Sequence, residues 1–408
     1  AYLNQIIQTE RGSDPMANDS WQQEQFVLST FHAVPADAGD ELPAILNACK
    51  EAGLTHVETA FSARPAILRA LDICDEIGLK VIVQDLGSLS GFQDRTTSAA
   101  TPETVAEAVK TYGAHRSVDG YYIWDEPFFE QLDFAAENTR LIRQYAPGKL
   151  QLIALLQSYS PDYHWENGLF PRYIDTFIER TDPSLLSFDY YVFDHDVDKG
   201  VSLEDSYLWT DMAYIRKKAL ENGIPYWYYL QLIGDIIGHQ PDRITLERVR
   251  VQTGIALAFG ASGIQYFNIL DGILTKQGER MKLFDPVAAL NREVLSLGEA
   301  LFGKKSTLVY PSGRLLHREY LDSPADSPLV AGAPDGLFIG EFTDEASDYL
   351  LAVSLDYEQP RTGEIRLRQT RQAAAFDPGS KTYGAPERTA ALAYNLPAGG
   401  YRLYRFAK

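Results

Sequence analysis

From Phe26 onward, the hydrophobic positions alternate between two patterns. Short β-branched and aromatic runs, which read as strands, are separated by stretches whose apolar residues recur at helical spacing. Phe26-Val27-Leu28-Ser29-Thr30-Phe31 is the first strand-like run. Over 40–52, Leu42, Ile45, Leu46 and Cys49 form a helical stripe that stops at Gly53, a residue suited to the left-handed turn at a helix end. Further strands are predicted over 54–61, 79–85, 120–127, 150–156, 185–191, 224–231 and 263–268. Between them lie helices: one through Ile67, Leu68, Leu71 and Ile73 to Gly78, one opened by Thr101-Pro102-Glu103-Thr104, and others near 133–145, 173–178, 205–221 and 245–259. Pro102 suits a first helical position because its missing N–H would be unsatisfied there anyway.

Eight such strand and helix beats predict an α/β chain folded as a (β/α)8 TIM barrel. An open, doubly wound sheet would close after five or six strands and carry a glycine-rich phosphate turn, which is missing. Residues 1–24 are polar, contain Gly12-Ser13-Asp14-Pro15, and read as a short helix, a loop and an arm. Beyond Lys304 the helical period stops, and short alternating runs occupy 336–342, 348–354, 363–367 and 400–406. They predict a small C-terminal β-sandwich that buttresses the barrel. The predicted domains are therefore 1–304, the barrel with its N-terminal arm, and 305–408, the sandwich.

A formal charge of -19 over 408 residues argues against nucleic acid and against anionic membrane surfaces as partners. No run of eighteen apolar residues predicts a membrane span. The chain opens at Ala1 without a hydrophobic signal core, which would suit a secreted or periplasmic protein already trimmed of its signal. Cys49 and Cys74 fall in predicted helices among apolar neighbours and read as buried thiols. No His-x-x-x-His or paired His/Asp spacing predicts a metal site, and Asp194-His195-Asp196 reads as a solvated loop. Gly234, Gly238 and Gly272 are isolated, a weak phosphate signal, and no Gly-x-Ser-x-Gly elbow is present. No cofactor is implied.

The chemistry gathers at strand ends. Gly120-Tyr121-Tyr122-Ile123-Trp124-Asp125-Glu126-Pro127 is a strand that ends in two carboxylates and a proline. In a TIM barrel the active site forms at the C-terminal ends of the strands. Glu58, Asp85, Asp125, Glu126 and Asp189 fall at such ends, with Asp271 in the turn after the eighth strand. Near them fall His32, Trp124, Tyr191, Trp227, Tyr229 and Gln231, then Tyr266 and Asn268, while Trp165 on the long fifth loop is a candidate stacking platform. Carboxylates ringed by aromatics suit cleavage of a glycosidic bond, in which one carboxylic acid protonates the leaving oxygen and a second carboxylate attacks the sugar or activates water. Apolar walls would raise the proton affinity of the acid. The structural readings are that the aromatics fill space between barrel and helices, that Asp85 caps a loop and that His32 is a satisfied core histidine.

Trp124-Asp125-Glu126-Pro127 resembles the Asn-Glu-Pro acid/base signature of the clan A glycoside hydrolases, with Asp in place of Asn. Pro225-Tyr226-Trp227-Tyr228-Tyr229-Leu230-Gln231 and Gly260-Ala261-Ser262-Gly263-Ile264-Gln265-Tyr266-Phe267 are similar to the seventh- and eighth-strand stretches of the β-galactosidase-like family 42 enzymes. The resemblance implies a glycosidase acting on an oligo- or polysaccharide with Glu126 as general acid. It also places that family's nucleophilic Glu at Leu230, which cannot attack a sugar. By strand position the second carboxylate is Asp189, then Glu58, Asp235 or Asp271. A carboxyl gap of roughly 5–5.5 Å would mean retention and about 6.5–9.5 Å inversion; the missing strand-seven Glu leans toward inversion, with Gln231 holding a hydroxyl or a water. Two alternatives stand beside this reading: an inactive carbohydrate-binding protein on a hydrolase barrel, motivated by Leu230, and a lyase or isomerase using Glu126 or Asp189 as base.

Overall fold

A computed structural model describes residues 21–37, 39–92, 98–234 and 243–408. The predicted arm before Trp21, together with Asp235 and Gly238, lies outside the described residues. The barrel strands are β1 (Val27–Thr30), β2 (His56–Glu58), β3 (Lys80–Val83), β4 (Val118–Asp125), β5 (Leu150–Leu155), β6 (Leu186–Asp189), β7 (Tyr226–Gln231) and β8 (Gly263–Phe267). They are parallel and pair in the order β1-β8-β7-β6-β5-β4-β3-β2. Between β1 and β2 the ring is completed by single bonds: Thr55 N donates to the Leu28 carbonyl at 2.8 Å and Ala33 N to the Glu58 carbonyl at 3.4 Å. The barrel is thus nearly closed.

Helices α1 (Leu42–Glu51), α2 (Arg64–Ile77), α3 (Pro102–Tyr112), α4 (Leu132–Tyr145), α5 (Leu169–Thr181), α6 (Leu208–Asn222), α7 (Leu246–Phe259) and α8 (Phe284–Leu301) surround it. Their ends obey local chemistry. The Thr101 hydroxyl caps α3 by accepting from Thr104 N at 3.3 Å, and α7 stops at Gly260, whose φ of 90° few other residues would tolerate.

Strand side chains alternate between two cores. Leu28, Val57, Phe188, Tyr228, Leu230 and Ile264 face the helix layer, whereas Val27, Ile82, Tyr122, Leu152, Trp227 and Tyr229 face the barrel axis. One break in this alternation matters for function. β4 pairs with β5 as Tyr122 with Leu152, then Trp124 with Ile153, then Asp125 with Ala154. The extra residue, Ile123, makes a β-bulge that re-aims the residues after it. Trp124 therefore turns outward and Asp125 inward, although strict alternation from Tyr122 would do the reverse.

The C-terminal β domain comprises β9 (Lys305–Pro311), β10 (Val330–Gly332), β11 (Leu337–Thr343), β12 (Ser347–Ser354), β13 (Arg361–Asp377), β14 (Thr382–Tyr383), β15 (Glu387–Leu396) and β16 (Tyr401–Ala407). They form one antiparallel sheet, ordered β9-β11-β12-β16-β13-β10, with β14 and β15 also paired to β13. The sheet curls over its own core of Tyr310, Leu337, Ile339, Leu350 and Ile365. Its other face packs on α7, where Gly254 lies against Tyr401 and Val353.

Candidate active site

A cavity of about 420 Å³ opens at the C-terminal ends of the strands, between Phe31, Phe61, Phe92, Tyr122, Tyr191 and Phe267. Its carboxyl groups are Asp125, Glu126 and Asp189, with Asp271 at its edge. Two adjacent residues of one strand normally point to opposite faces. Glu126 has φ 47°, a left-handed conformation that is uncommon away from glycine. This departure from strand geometry lets Asp125 and Glu126 line the same cavity.

The Glu126 and Asp189 side chains are hydrogen-bonded to each other. Burial first, and then the charges of Asp189 and Asp125, hold the Glu126 carboxyl well above its ordinary range. Burial pushes Asp189 up to about 7, while hydrogen bonds from Glu126 and Tyr191 pull it back. Glu126 is thus the member that keeps the proton and Asp189 the one that accepts it, as in other buried carboxyl pairs that cannot both ionise. Asp189 Oδ1 has no hydrogen-bond partner. Asp125 accepts from the Tyr122 hydroxyl at 2.8 Å, and burial raises it to about 6.

At the edge, Lys276 lies 3.6 Å from Asp271. His32 Nδ1 donates to the Ala60 carbonyl at 2.6 Å. Burial lowers its pKa, so the ring is neutral near pH 7 and its Nε2 is an acceptor. Asn268 Oδ1 accepts from Leu270 N at 2.8 Å, which leaves the amide nitrogen to offer. Behind the acidic pair, Tyr159 stacks on His195 with ring centres 3.7 Å apart. The loop that carries it is anchored by Asp211, which accepts from Ser158 N at 2.9 Å and Trp165 Nε1 at 2.6 Å.

Several predicted site residues stand elsewhere. Glu58 is fully buried beneath the cavity and accepts from Ser29 Oγ and Gln265 Nε2, both at 2.8 Å, and from the Tyr229 hydroxyl. It forms the floor and does not line the cavity; of its hydrogen-bond partners Tyr229 is the one that does. Trp124, turned out by the bulge, stacks on Phe134 of α4. Trp165 is committed to Asp211 and packs on Phe170, Tyr214 and Tyr320. Trp227 faces the axis but near the opposite barrel end, where its Nε1 donates to Gln23 Oε1 at 3.1 Å. Tyr266 points outward to Asn291 of α8 at 2.6 Å. Gln231 braces a turn through Asp194 N at 3.0 Å and the Ile233 carbonyl at 2.9 Å. Asp85 is held by Arg64 at 3.0 Å and the Tyr112 hydroxyl at 2.7 Å.

Asp194-His195-Asp196 is not a solvated loop either. It lies across a short helix, Val192–His195, and Asp196 accepts from the Tyr190 hydroxyl at 2.9 Å. Conversely, the four phenylalanines, Tyr122 and Lys276 line the cavity although the strand-end pattern does not mark them. The bulge that brings Tyr122 beside Asp125 leaves no mark in a hydrophobic run. Among the described residues no group of His, Cys, Asp and Glu is arranged to hold a metal ion, and no helix is long and apolar enough to cross a membrane.

No protein-family model and no curated protein sequence matches the chain. Solved structures do match in fold. An α-amylase from Anoxybacillus is 12% identical with a TM-score of 0.55, covering 94% of this chain and 98% of the other. An α-amylase from Geobacillus thermoleovorans, in complex with acarbose, is 12% identical with a TM-score of 0.55, over 95% of this chain and 100% of the other. A glycoside hydrolase family 5 protein from Bacteroides vulgatus is 10% identical with a TM-score of 0.57, over 96% of this chain and 92% of the other. The fold is therefore one found among glycoside hydrolases, a (β/α)8 barrel followed by a β domain. At these identities the likeness is one of fold alone.

Proposed function

We propose that the protein is a retaining glycosidase acting on an oligo- or polysaccharide, with Glu126 as general acid and Asp189 as nucleophile. The observation that carries this reading is the hydrogen-bonded Glu126 and Asp189 pair inside an aromatic cavity at the barrel mouth. The proton held by Glu126 is directed at whatever acceptor replaces Asp189, and a glycosidic oxygen is such an acceptor. As that oxygen leaves with the proton, the Asp189 carboxylate bonds to the anomeric carbon. Glu126, now ionised, takes a proton from the water that releases the sugar.

Inversion needs a water held between base and sugar, and carboxyl groups about 6.5–9.5 Å apart. Two carboxyls in hydrogen-bond contact stand nearer to the retaining spacing than to the inverting one, so the lean toward inversion drawn from Leu230 gives way. The binding-protein alternative rested on the same residue, whose side chain faces the helix layer. Its identity therefore bears on neither reading.

Aryl glycosides and plant, algal and bacterial polysaccharides provide the assay. Glu126→Gln should abolish turnover of natural substrates while leaving the fold intact, and the anomer first seen by proton NMR should match the substrate's. Full activity in Glu126→Gln would refute the role of Glu126, and an inverted first product would refute Asp189 as nucleophile.

A further inference from the structure

The proposed reaction uses two carboxyl groups, and the cavity contains a third beside them. The bulge in β4 places Asp125 next to the Glu126 and Asp189 pair, with one oxygen accepting from Tyr122 at 2.8 Å. Lys276 is the one Lys or Arg among the described lining residues, and it stands against Asp271 at 3.6 Å. His32 offers an acceptor, Asp189 Oδ1 is buried without a partner, and the Tyr122 and Tyr229 hydroxyls are spent on Asp125 and Glu58. The Tyr191 hydroxyl and the proton of the acidic pair are spent on Asp189, so among the described lining residues the uncommitted donor is the Asn268 amide. Buried anionic groups are stable only when a counter-charge or hydrogen-bond donors meet them. Among the described residues the protein supplies Asp125 with one phenol and no cation. Tyr122, Tyr191 and Phe267 line the same cavity, and an aromatic ring attracts a cation that reaches its face.

We propose that the sugar bound beside the scissile bond carries a free amino group, and that Asp125 holds its ammonium. This rests on the glycosidase reading for the position of the scissile bond, but the cation site itself rests on the cavity. An acidic sugar fits poorly, because its carboxylate would meet Asp125, Asp189 and Asp271, with a single, already paired lysine to receive it.

The test is titration of the intact protein near neutral pH with glucosamine, galactosamine and mannosamine, each against its parent hexose and its N-acetyl derivative. At least one amine should bind about tenfold or more tightly than both counterparts, and high salt should weaken that preference. Asp125→Asn, checked for folding by circular dichroism, should bring the ratio close to one. If no amine is preferred by the unmodified protein, the inference falls whatever the variant does. Nitrophenyl glycosides of the same sugars separate the two claims. Cleavage without amine preference sinks the amino-sugar assignment and keeps the hydrolase. Amine-selective binding with no cleavage of any glycoside or polysaccharide keeps the cation site and sinks the hydrolase.

Discussion

Gly340 on β11 lies directly against the Ala258 carbonyl of α7: a Cβ at position 340 would stand 2.0 Å from that oxygen and 2.8 Å from its carbon. The obstructing atoms are helix backbone and cannot swing aside. Gly340→Ala should therefore cost about 1–3 kcal/mol or more through overpacking. Thermal denaturation should show a lowered midpoint. Activity at low temperature should be retained, since this contact is with α7 and not with the cavity.

Glu58 should make stability depend on pH. Its folded pKa is about 7 against 4.5 for the free group, because of burial. The folded state therefore binds the proton more tightly. The resulting stability is complete below about pH 4.5 and is lost as pH rises through about 7, for roughly 3 kcal/mol in all. Asp125, Asp189 and Asp211 have the same sign, so the comparison must isolate Glu58. Glu58→Gln, which imitates the protonated form, should be more stable than the parent near pH 8 and gain nothing near pH 4. Denaturant melts at the two pH values read this directly, and an equal effect at both would contradict it.

The acidic pair predicts a bell-shaped dependence of kcat/KM on pH. In the proposed mechanism activity requires Asp189 ionised and Glu126 protonated, so it should fall below about pH 7 as Asp189 takes up a proton and again above the raised pKa of Glu126. The two limbs belong to the pair as a unit. The charge of Asp125 raises both members. Removing it by Asp125→Asn should shift the whole profile toward acid, besides its effect on rate. A profile that keeps its position would mean that Asp125 is protonated throughout.

Restoring a glutamate at the position the family resemblance marks should fail. Leu230 is fully buried and faces the helices. In Leu230→Glu a carboxylate would lose its hydration and an apolar contact set would be broken, at a cost of several kcal/mol. The expected outcome is a strongly destabilised protein with no gain in glycoside hydrolysis, measured by urea denaturation and by assay.

The strands and helices of the barrel were legible because each presents its apolar residues at its own period, as in the stripe from Leu42 to Cys49. The carboxyl groups at the mouth were legible too, since Asp125, Glu126 and Asp189 end their strands. Side-chain direction was not. A single bulge at Ile123 reverses Trp124 and Asp125, and the phase of β7 sends Tyr229 inward and Leu230 outward. Depth was hidden as well: Trp227 shares a face with Tyr229 but sits one layer lower, toward Gln23. The aromatic walls lie partly outside the barrel strands, at Phe61 and Phe92, which meet edge to face at 5.1 Å. Tryptophan draws attention in the sequence because of its size, yet the cavity is lined by phenylalanine and tyrosine.

The closed floor beneath the cavity governs traffic. Glu58, Gln265, Ser29 and Tyr229 knit the axis together, and Trp227 with Leu150 and Leu152 fills the space below. Nothing the size of a sugar can drain through that plug. Among the described residues, a molecule that enters by the mouth meets that plug and turns back, so entry and exit share one threshold.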